Sequence, residues 1–310
     1  MVRVLVTGGA GFVGSHLVDS LVKHGFEVVV LDNLFSGKLE NLKQVDKRNF
    51  CLVKGDVRSK TDLRKVLKNV DFVFHLAAIV SVPLSIEKPL FVNEVNVNGT
   101  LNVLEESLRA GVKRLIYASS CAVYGEPINV PIDENHPTRP LSPYGVSKLA
   151  AEHYCRVFYE VYGLETVCLR FFNIYGPRQS SGPYAGVISK FISSLKHGKP
   201  PIIFGDGKQT RDFVYIEDVV DACLLSLESK GCVGEFINIG SGVETSISDL
   251  AEILIELFGL LDVKPKYAQP RTGDIRRSCA SLNKAKRLLG YQPKISLIEG
   301  LKRVIEYAML

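Results

Sequence analysis

Six short segments in the first half of the chain are apolar almost throughout: VRVLVTG, EVVVLD, FCLVKGD, DFVFHLA, RLIYASS and TVCLRFFN. None alternates polar with apolar positions, as a strand with one wet face would. Each therefore reads as a strand buried on both faces of a parallel sheet. Between them lie amphipathic stretches such as VGSHLVDSLVKHG and NGTLNVLEESLRAG, which end on glycine where a helix closes. Alternation of this kind implies right-handed βαβ units, and so an α/β fold with a doubly wound parallel sheet.

After Asn173 the rhythm changes. Gly- and Pro-rich connections, YGPRQSSGPYAG and KHGKPPIIFGDGKQTRDF, separate fewer strands and helices. EFINIGSG reads as another buried strand, so the chain is expected to return to the first sheet at about 212–241. The predicted organisation is a first domain over 1–173 and a smaller C-terminal α/β lobe, drawn mainly from 174–310, over the strand ends. There is no repeat and no long linker.

Composition narrows the function classes. The 310 residues include 38 Lys and Arg against 33 Asp and Glu, a net charge of +5. No long basic run concentrates that excess, which argues against nucleic-acid binding and suits an anionic small molecule. The opening MVRVLVTG breaks at glycine before a secretory core forms, and no stretch approaches the roughly 18 apolar residues of a membrane span. The seven cysteines form no C-x-x-C pair and the six histidines are scattered singly. They read as the reduced cysteines of a cytoplasmic protein, with no metal site expected.

Candidate chemistry begins at VTGGAGFVGSHL, between the first strand and the first helix. Gly8, Gly11 and Gly14 are spaced G-x-x-G-x-x-G, a departure from the commoner G-x-G-x-x-G that keeps its physical roles. The turn must be tight, the backbone must approach a pyrophosphate, and helix and strand must pack closely. Free N–H groups and the helix dipole then favour the diphosphate. The second strand ends in Asp32, where a carboxylate accepts hydrogen bonds from an adenosine ribose and repels a 2′-phosphate. Strand, loop, helix, strand and acid together predict a Rossmann-type domain that takes NAD rather than NADP. Phe12, Val13, Asn33 and Leu76 complete the expected cofactor set. Asp56, followed by Val57, is placed either to contact the adenine or to cap its own loop.

LSPYGVSKLAAEHY puts Tyr144 one helical turn before Lys148, just after Pro143 at a helix start. The two are either a solvated pair or an acid–base dyad, and the cofactor decides for the dyad. Hydride chemistry at a carbinol carbon needs a base for the hydroxyl proton. A free tyrosine titrates near 10; a neighbouring ammonium is expected to lower that value. Ser119 and Ser120 end the fifth strand, where open α/β sheets bind ligands. Ser120 is expected to face the substrate.

TGGAGFVG, SSCAVYG, SPYGVSK, LRFFNIYGPRQ and TRDFVYIEDV resemble the extended short-chain dehydrogenase/reductase family, and most of all its nucleotide-sugar epimerases of the UDP-glucose (UDP-galactose) 4-epimerase group. The motifs run in the family's order over essentially the whole chain. The resemblance implies that NAD stays bound, that C4 of a UDP-hexose is oxidised to a ketone, and that hydride returns to the opposite face. It assigns Tyr144 as base, Lys148 as its electrostatic partner and a nicotinamide-ribose contact, and Ser120 as the hydroxyl that orients the sugar. Asn173 is assigned to the sugar nucleotide near its phosphates, Arg211 and Arg271 to the diphosphate, and Asp274 to the uridine ribose. Ser81 and Val187 join the substrate set. Guanidinium forks suit a diphosphate, although either arginine can equally form a surface salt bridge.

Other branches of that family are distinguished by single positions. A 4,6-dehydratase is expected to carry an Asp–Glu pair just after the serine, and a UDP-glucuronate decarboxylase an acid there; Cys121 and Ala122 stand in those places. Ser278 aligns with the residue that controls space around C2 of the sugar, where a small side chain admits an N-acetyl group. It is either that gate or an ordinary polar residue at a strand edge. SVPLS at 81–85 and GPYAGVI at 182–188 also resemble the N-acetylhexosamine-accepting subgroup. The rival reading is a UDP-glucuronate 4-epimerase, in which Arg178 meets the C6 carboxylate or else faces solvent. A non-catalytic, NAD-sensing protein is a reading of another class, and the dyad opposes it. The resemblance further implies a homodimer built from helices near 92–111 and 143–162, whose apolar stripe is alternatively core packing.

Overall fold

A computed structural model describes residues 1–180, 186–270 and 273–309. The strands are β1 (Arg3–Thr7), β2 (Glu27–Asp32), β3 (Phe50–Lys54), β4 (Phe72–His75), β5 (Arg114–Ser120), β6 (Glu165–Phe171), β7 (Asn173–Tyr175), β8 (Ile202–Phe204), β9 (Thr210–Tyr215), β10 (Phe236–Ile239), β11 (Glu244–Ser246) and β12 (Lys266–Ala268). The helices are α1 (Phe12–Lys23), α2 (Lys60–Val66), α3 (Val82–Glu87), α4 (Pro89–Asn93), α5 (Gly99–Ala110), α6 (Pro143–Tyr162), α7 (Val187–Lys196), α8 (Ile216–Glu228), α9 (Ile247–Leu257), α10 (Asn283–Leu289) and α11 (Leu297–Met309).

The main sheet has seven strands in the order β10-β6-β5-β4-β1-β2-β3, and every pair in it is parallel. All six apolar segments of the first half are strands of it. Their unbroken apolarity has a direct cause. Val4 and Val6 of β1 face one hydrophobic cluster with Leu17 and Leu21 of α1, while Leu5 between them faces a second with Leu63 of α2 and Leu104 of α5. Both faces exclude water, so the middle of the strand is apolar throughout and its buried Thr7 sits at the carboxyl end with a hydrogen-bond partner in His75. Each fully buried leucine contributes about 1.5–3 kcal/mol on this account.

The strand order reverses between β1 and β4, and ligands in open α/β sheets bind outside the carboxyl ends at such a point. The return to the first sheet is narrower than expected over 212–241. Of that stretch α8 packs against α1 and β10 pairs with β6, whereas β9 pairs parallel with β7 and antiparallel with β11 in a separate sheet. A further parallel pair, β8 with β12, belongs to the C-terminal part. The helix expected over 92–111 is wound in three pieces, α4, a wider π-type turn at Glu94–Asn98, and α5. Among the described residues, no helix is long and apolar enough to cross a membrane.

Candidate active site

Two adjoining clefts lie along the carboxyl ends of the main sheet. Gly8, Gly11, Phe12, Val13, Gly14, Asp32, Asn33, Val57 and Leu76 line the first, together with Phe35, Ser36, Lys38 and Asn41. Ser120, Tyr144, Lys148, Asn173 and Val187 line the second, and Phe12, Val13 and Leu76 border both.

The glycine turn is as tight as the spacing demands. Gly8 has φ 73°, and a Cβ at Gly14 would stand 2.2 Å from the Gly8 carbonyl oxygen. The Gly11 amide closes the turn on that carbonyl at 3.1 Å. Helix α1 then starts with no side chain capping it, which leaves its first amides for an anion. Asp32 accepts from the amides of Ala10 at 2.9 Å and Leu34 at 2.8 Å. The strand-end carboxylate thereby fixes the phosphate loop and the loop that follows it. A turn only backbone can fill, a free helix start and a fixed acid at the ribose position fit a dinucleotide such as NAD.

Asp56 does not line this cleft. Its carboxylate accepts from Arg58 and, at 2.9 Å, from Asn33, and the Arg58 guanidinium is the largest cause holding it at about 2. These bonds fix the loop after β3 to Asn33 at the end of β2. Lys38 and Asn41 were missed from sequence. The Lys38 amide and the Asn41 side chain both bond the Ala10 carbonyl, and the one signal was Gly37, where a Cβ would stand 2.9 Å from the Asp32 carboxylate.

Helix α6 builds the second cleft. Ser142 caps it by accepting from the Gly145 amide at 3.1 Å, and Pro143 takes the first turn. That start sets Tyr144 and Lys148 on one buried face, 8% and 3% exposed. The Lys148 ammonium donates to the Ala118 carbonyl at 2.8 Å and lies 4.9 Å from the centre of the Tyr117 ring. Burial lowers Lys148 to about 8, opposed chiefly by the Glu152 carboxylate. Burial raises Tyr144 to about 12, opposed by its hydrogen bond with Ser120. Contrary to the expected lowering by Lys148, Tyr144 is raised: desolvation of the phenolate is the largest cause of its shift, and Lys148 is not among the causes. The solvated-pair reading is excluded: both groups are inside.

Ser120 ends β5 beside Cys121, whose thiol shares hydrogen bonds with Ser120 and Ser278. Burial pushes Cys121 up to about 11, so it stays a thiol and cannot act as the acid or base of a dehydratase. Ser278 is 5% exposed and bonds the Cys121 thiol, which lines the second cleft; Ser278 itself does not. Ser81 caps α3 by accepting from the Leu84 amide at 3.1 Å and does not line the cleft. Arg211 and Asp274 are ion-paired to each other, and Arg211 also donates to the Thr210 and Ile275 carbonyls, each at 2.7 Å. Arg271 lies outside the described residues, as does most of the 182–188 motif. Arg178 is bonded to Asp19 of α1 at 2.7 Å and lines the first cleft rather than the second.

A family model described as the NAD dependent epimerase/dehydratase family matches residues 4–240. The UDP-glucose 4-epimerase of Mycolicibacterium smegmatis is 40% identical over 309 residues, 98% of either chain. The solved structure of a UDP-glucose 4-epimerase from Thermotoga maritima, with UDP-glucose, matches with a TM-score of 0.94 at 42% identity, over 99% of this chain and 98% of that one. A UDP-N-acetylglucosamine 4-epimerase from Methanobrevibacter ruminantium, in complex with UDP-N-acetylmuramic acid, gives 0.95 at 40% identity over the same shares.

Proposed function

The chain belongs to the NAD dependent epimerase/dehydratase family, in the extended short-chain dehydrogenase/reductase group, and from that premise we propose that it interconverts UDP-hexoses epimeric at C4, UDP-glucose with UDP-galactose. The observation that carries the proposal is the buried Tyr144–Lys148 pair, with Ser120, beside a dinucleotide cleft. The Gly8–Gly14 turn would hold the cofactor's diphosphate, Asp32 its adenosine ribose and Lys148 its nicotinamide ribose. NAD, when bound, supplies the acceptor and donor of the C4 hydride.

The protein's part is to manage one proton. With Lys148 at about 8 and Tyr144 at about 12, the pair loses its first proton near pH 8. That proton is missing either from the lysine or from the phenol, and the two arrangements exchange without reference to bulk pH. The phenolate arrangement takes the proton of the sugar C4 hydroxyl, and Ser120 orients that hydroxyl. When hydride returns to the other face of the 4-keto sugar, the same phenol gives the proton back.

The small Ser278, bonded to Cys121 of the cleft wall, supports acceptance of N-acetylated sugars, since neither side chain has the bulk of a tyrosine. A UDP-glucuronate reading is less well supported: Arg178 is engaged by Asp19, and among the described residues that line the sugar cleft Lys148 is the one cation. A sensor without catalysis has no use for a buried acid–base pair. Purified protein given UDP-galactose, UDP-GalNAc and UDP-galacturonate separately, without added oxidant, is expected to yield UDP-glucose and UDP-GlcNAc only. Conversion of the galacturonate alone would replace this reading, and UDP-glucose as the sole product would remove the Ser278 argument.

The same chain is proposed to dimerise through α5 and α6. Val146, Tyr154, Val157 and Val161 form an exposed stripe on α6, with Leu108 exposed on α5. An apolar stripe on an accessible helix face calls for a partner. Sedimentation is expected to show a dimer, and Val157→Glu a monomer; a monomeric parent protein would contradict it.

A further inference from the structure

Tyr144, Lys148 and Glu152 succeed one another at four-residue steps on the buried face of α6. Glu152 is 0% exposed, and its carboxylate is fully engaged. It accepts from the Ser119 hydroxyl at 2.5 Å and from Arg170 of β6 at 2.9 Å (Nε) and 2.7 Å (Nη2). The Arg170 guanidinium lies 4.9 Å from each of the Tyr124 and Phe236 ring centres. Its remaining arm donates to the Tyr124 hydroxyl at 2.9 Å, which in turn donates to Asn238 at 2.7 Å.

Packed apolar side chains would hold these elements together as well or better, because desolvating two charges costs several kcal/mol. The position of this pair points to another role. We propose that Glu152 is a positioning residue for the acid–base pair: its carboxylate, held by Arg170 and Ser119, favours the ammonium form of Lys148 and so raises the share of the arrangement in which the phenol is the group that has lost its proton. The proposal rests on the Tyr144–Lys148 reading given above. Among the described residues, Glu152 is the carboxylate-bearing side chain that acts on Lys148. From β5 Lys148 meets the Tyr117 ring and the Ala118 carbonyl. From α6 and β6 it faces the thiols of Cys155 and Cys168, the latter kept protonated by burial. From β4 comes His75, held neutral by burial between the hydroxyls of Thr7 and Thr100. Burial works to deprotonate Lys148, and Glu152 is the largest cause opposing it.

The test is Glu152→Gln, with Glu152→Gln/Arg170→Gln as a second variant that leaves no unpaired guanidinium if the first does not fold. The titration of Lys148 is followed by NMR on protein with labelled lysine Cε and Nζ, assigned with Lys148→Met; pH–rate profiles are recorded alongside. In Glu152→Gln the Lys148 midpoint is expected to fall by about one unit, as removal of a charge one helical turn away requires. The double variant should show a smaller fall in the same direction. The acid limb of kcat moves down with the midpoint, the plateau falls by up to about tenfold as neutral lysine displaces phenolate, and KM is unchanged. A Lys148 midpoint equal to that of the parent in a folded variant would overturn the proposal. If the parent protein converts no UDP-hexose, the functional reading fails, and the NMR titration still decides whether Glu152 governs Lys148.

Discussion

Tyr144→Phe is expected to lower the epimerisation rate by about 10²- to 10⁴-fold, the usual contribution of a positioned acid–base group, while the protein keeps its fold and its cofactor. The substitution removes one hydroxyl from a site that is 8% exposed, and with it a hydrogen bond to Ser120. Stability should change by about 1 kcal/mol or less. No atom of the ring's buried body is lost, and the glycine turn that holds the dinucleotide lies on another element. Cofactor content after purification and the thermal midpoint therefore serve as internal controls for the rate. An active phenylalanine variant would mean that another group takes the proton.

Lys148→Met separates catalysis from stability in opposite directions. Lys148 titrates at about 8 in the fold against about 10.4 in an unfolded chain. The folded state therefore binds fewer protons than the unfolded one between those values, and stability rises with pH across that window. Below pH 8 the full cost of the buried ammonium is present, roughly 3 kcal/mol for such a shift. Methionine removes that cost and leaves the Ala118 carbonyl without its donor, a loss of about 1 kcal/mol. The net expectation at pH 7 is a gain of about 2 kcal/mol, which shrinks as pH rises and reverses to a loss of about 1 kcal/mol above about pH 10.4, where only the lost hydrogen bond remains. Activity moves the other way. Without the ammonium the phenol must lose its proton alone, at about 12, so the rate at neutral pH falls by at least about 10²-fold and climbs throughout the alkaline range. Denaturant melts at pH 7 and pH 10, with rates at both, check the two signs. A destabilised methionine variant at pH 7 would contradict the burial account.

The sheet could be read because strands buried on both faces leave continuous apolar runs, and the helices between them show the other period. The three-residue strands β7, β8, β11 and β12 leave no such trace. β9, whose TRDFVY opens on three polar residues, lay at the edge of the segment expected to return at about 212–241. Its partners are β7 and β11, and nothing local to the sequence selects them. In the site, the tyrosine–lysine spacing and the glycine turn were legible because each is a constraint within one element. The direction of the Tyr144 shift was not, since burial comes from helix and strand packed together. For the same reason the buried Glu152–Arg170 pair and the mutual pairing of Arg211 with Asp274 went unread: their partners are 18 and 63 residues apart.

The central claim is that C4 gives up a hydride inside the protein and receives it back. UDP-galactose carrying deuterium at C4 tests this directly, with the product examined by mass spectrometry and NMR in ordinary water and no added oxidant. The account predicts UDP-glucose with the deuterium still on C4, because the hydride does not exchange with solvent and Tyr144 handles only the hydroxyl proton. UDP-glucose with hydrogen at C4 would contradict it, since the reaction would then pass through loss of a proton from carbon.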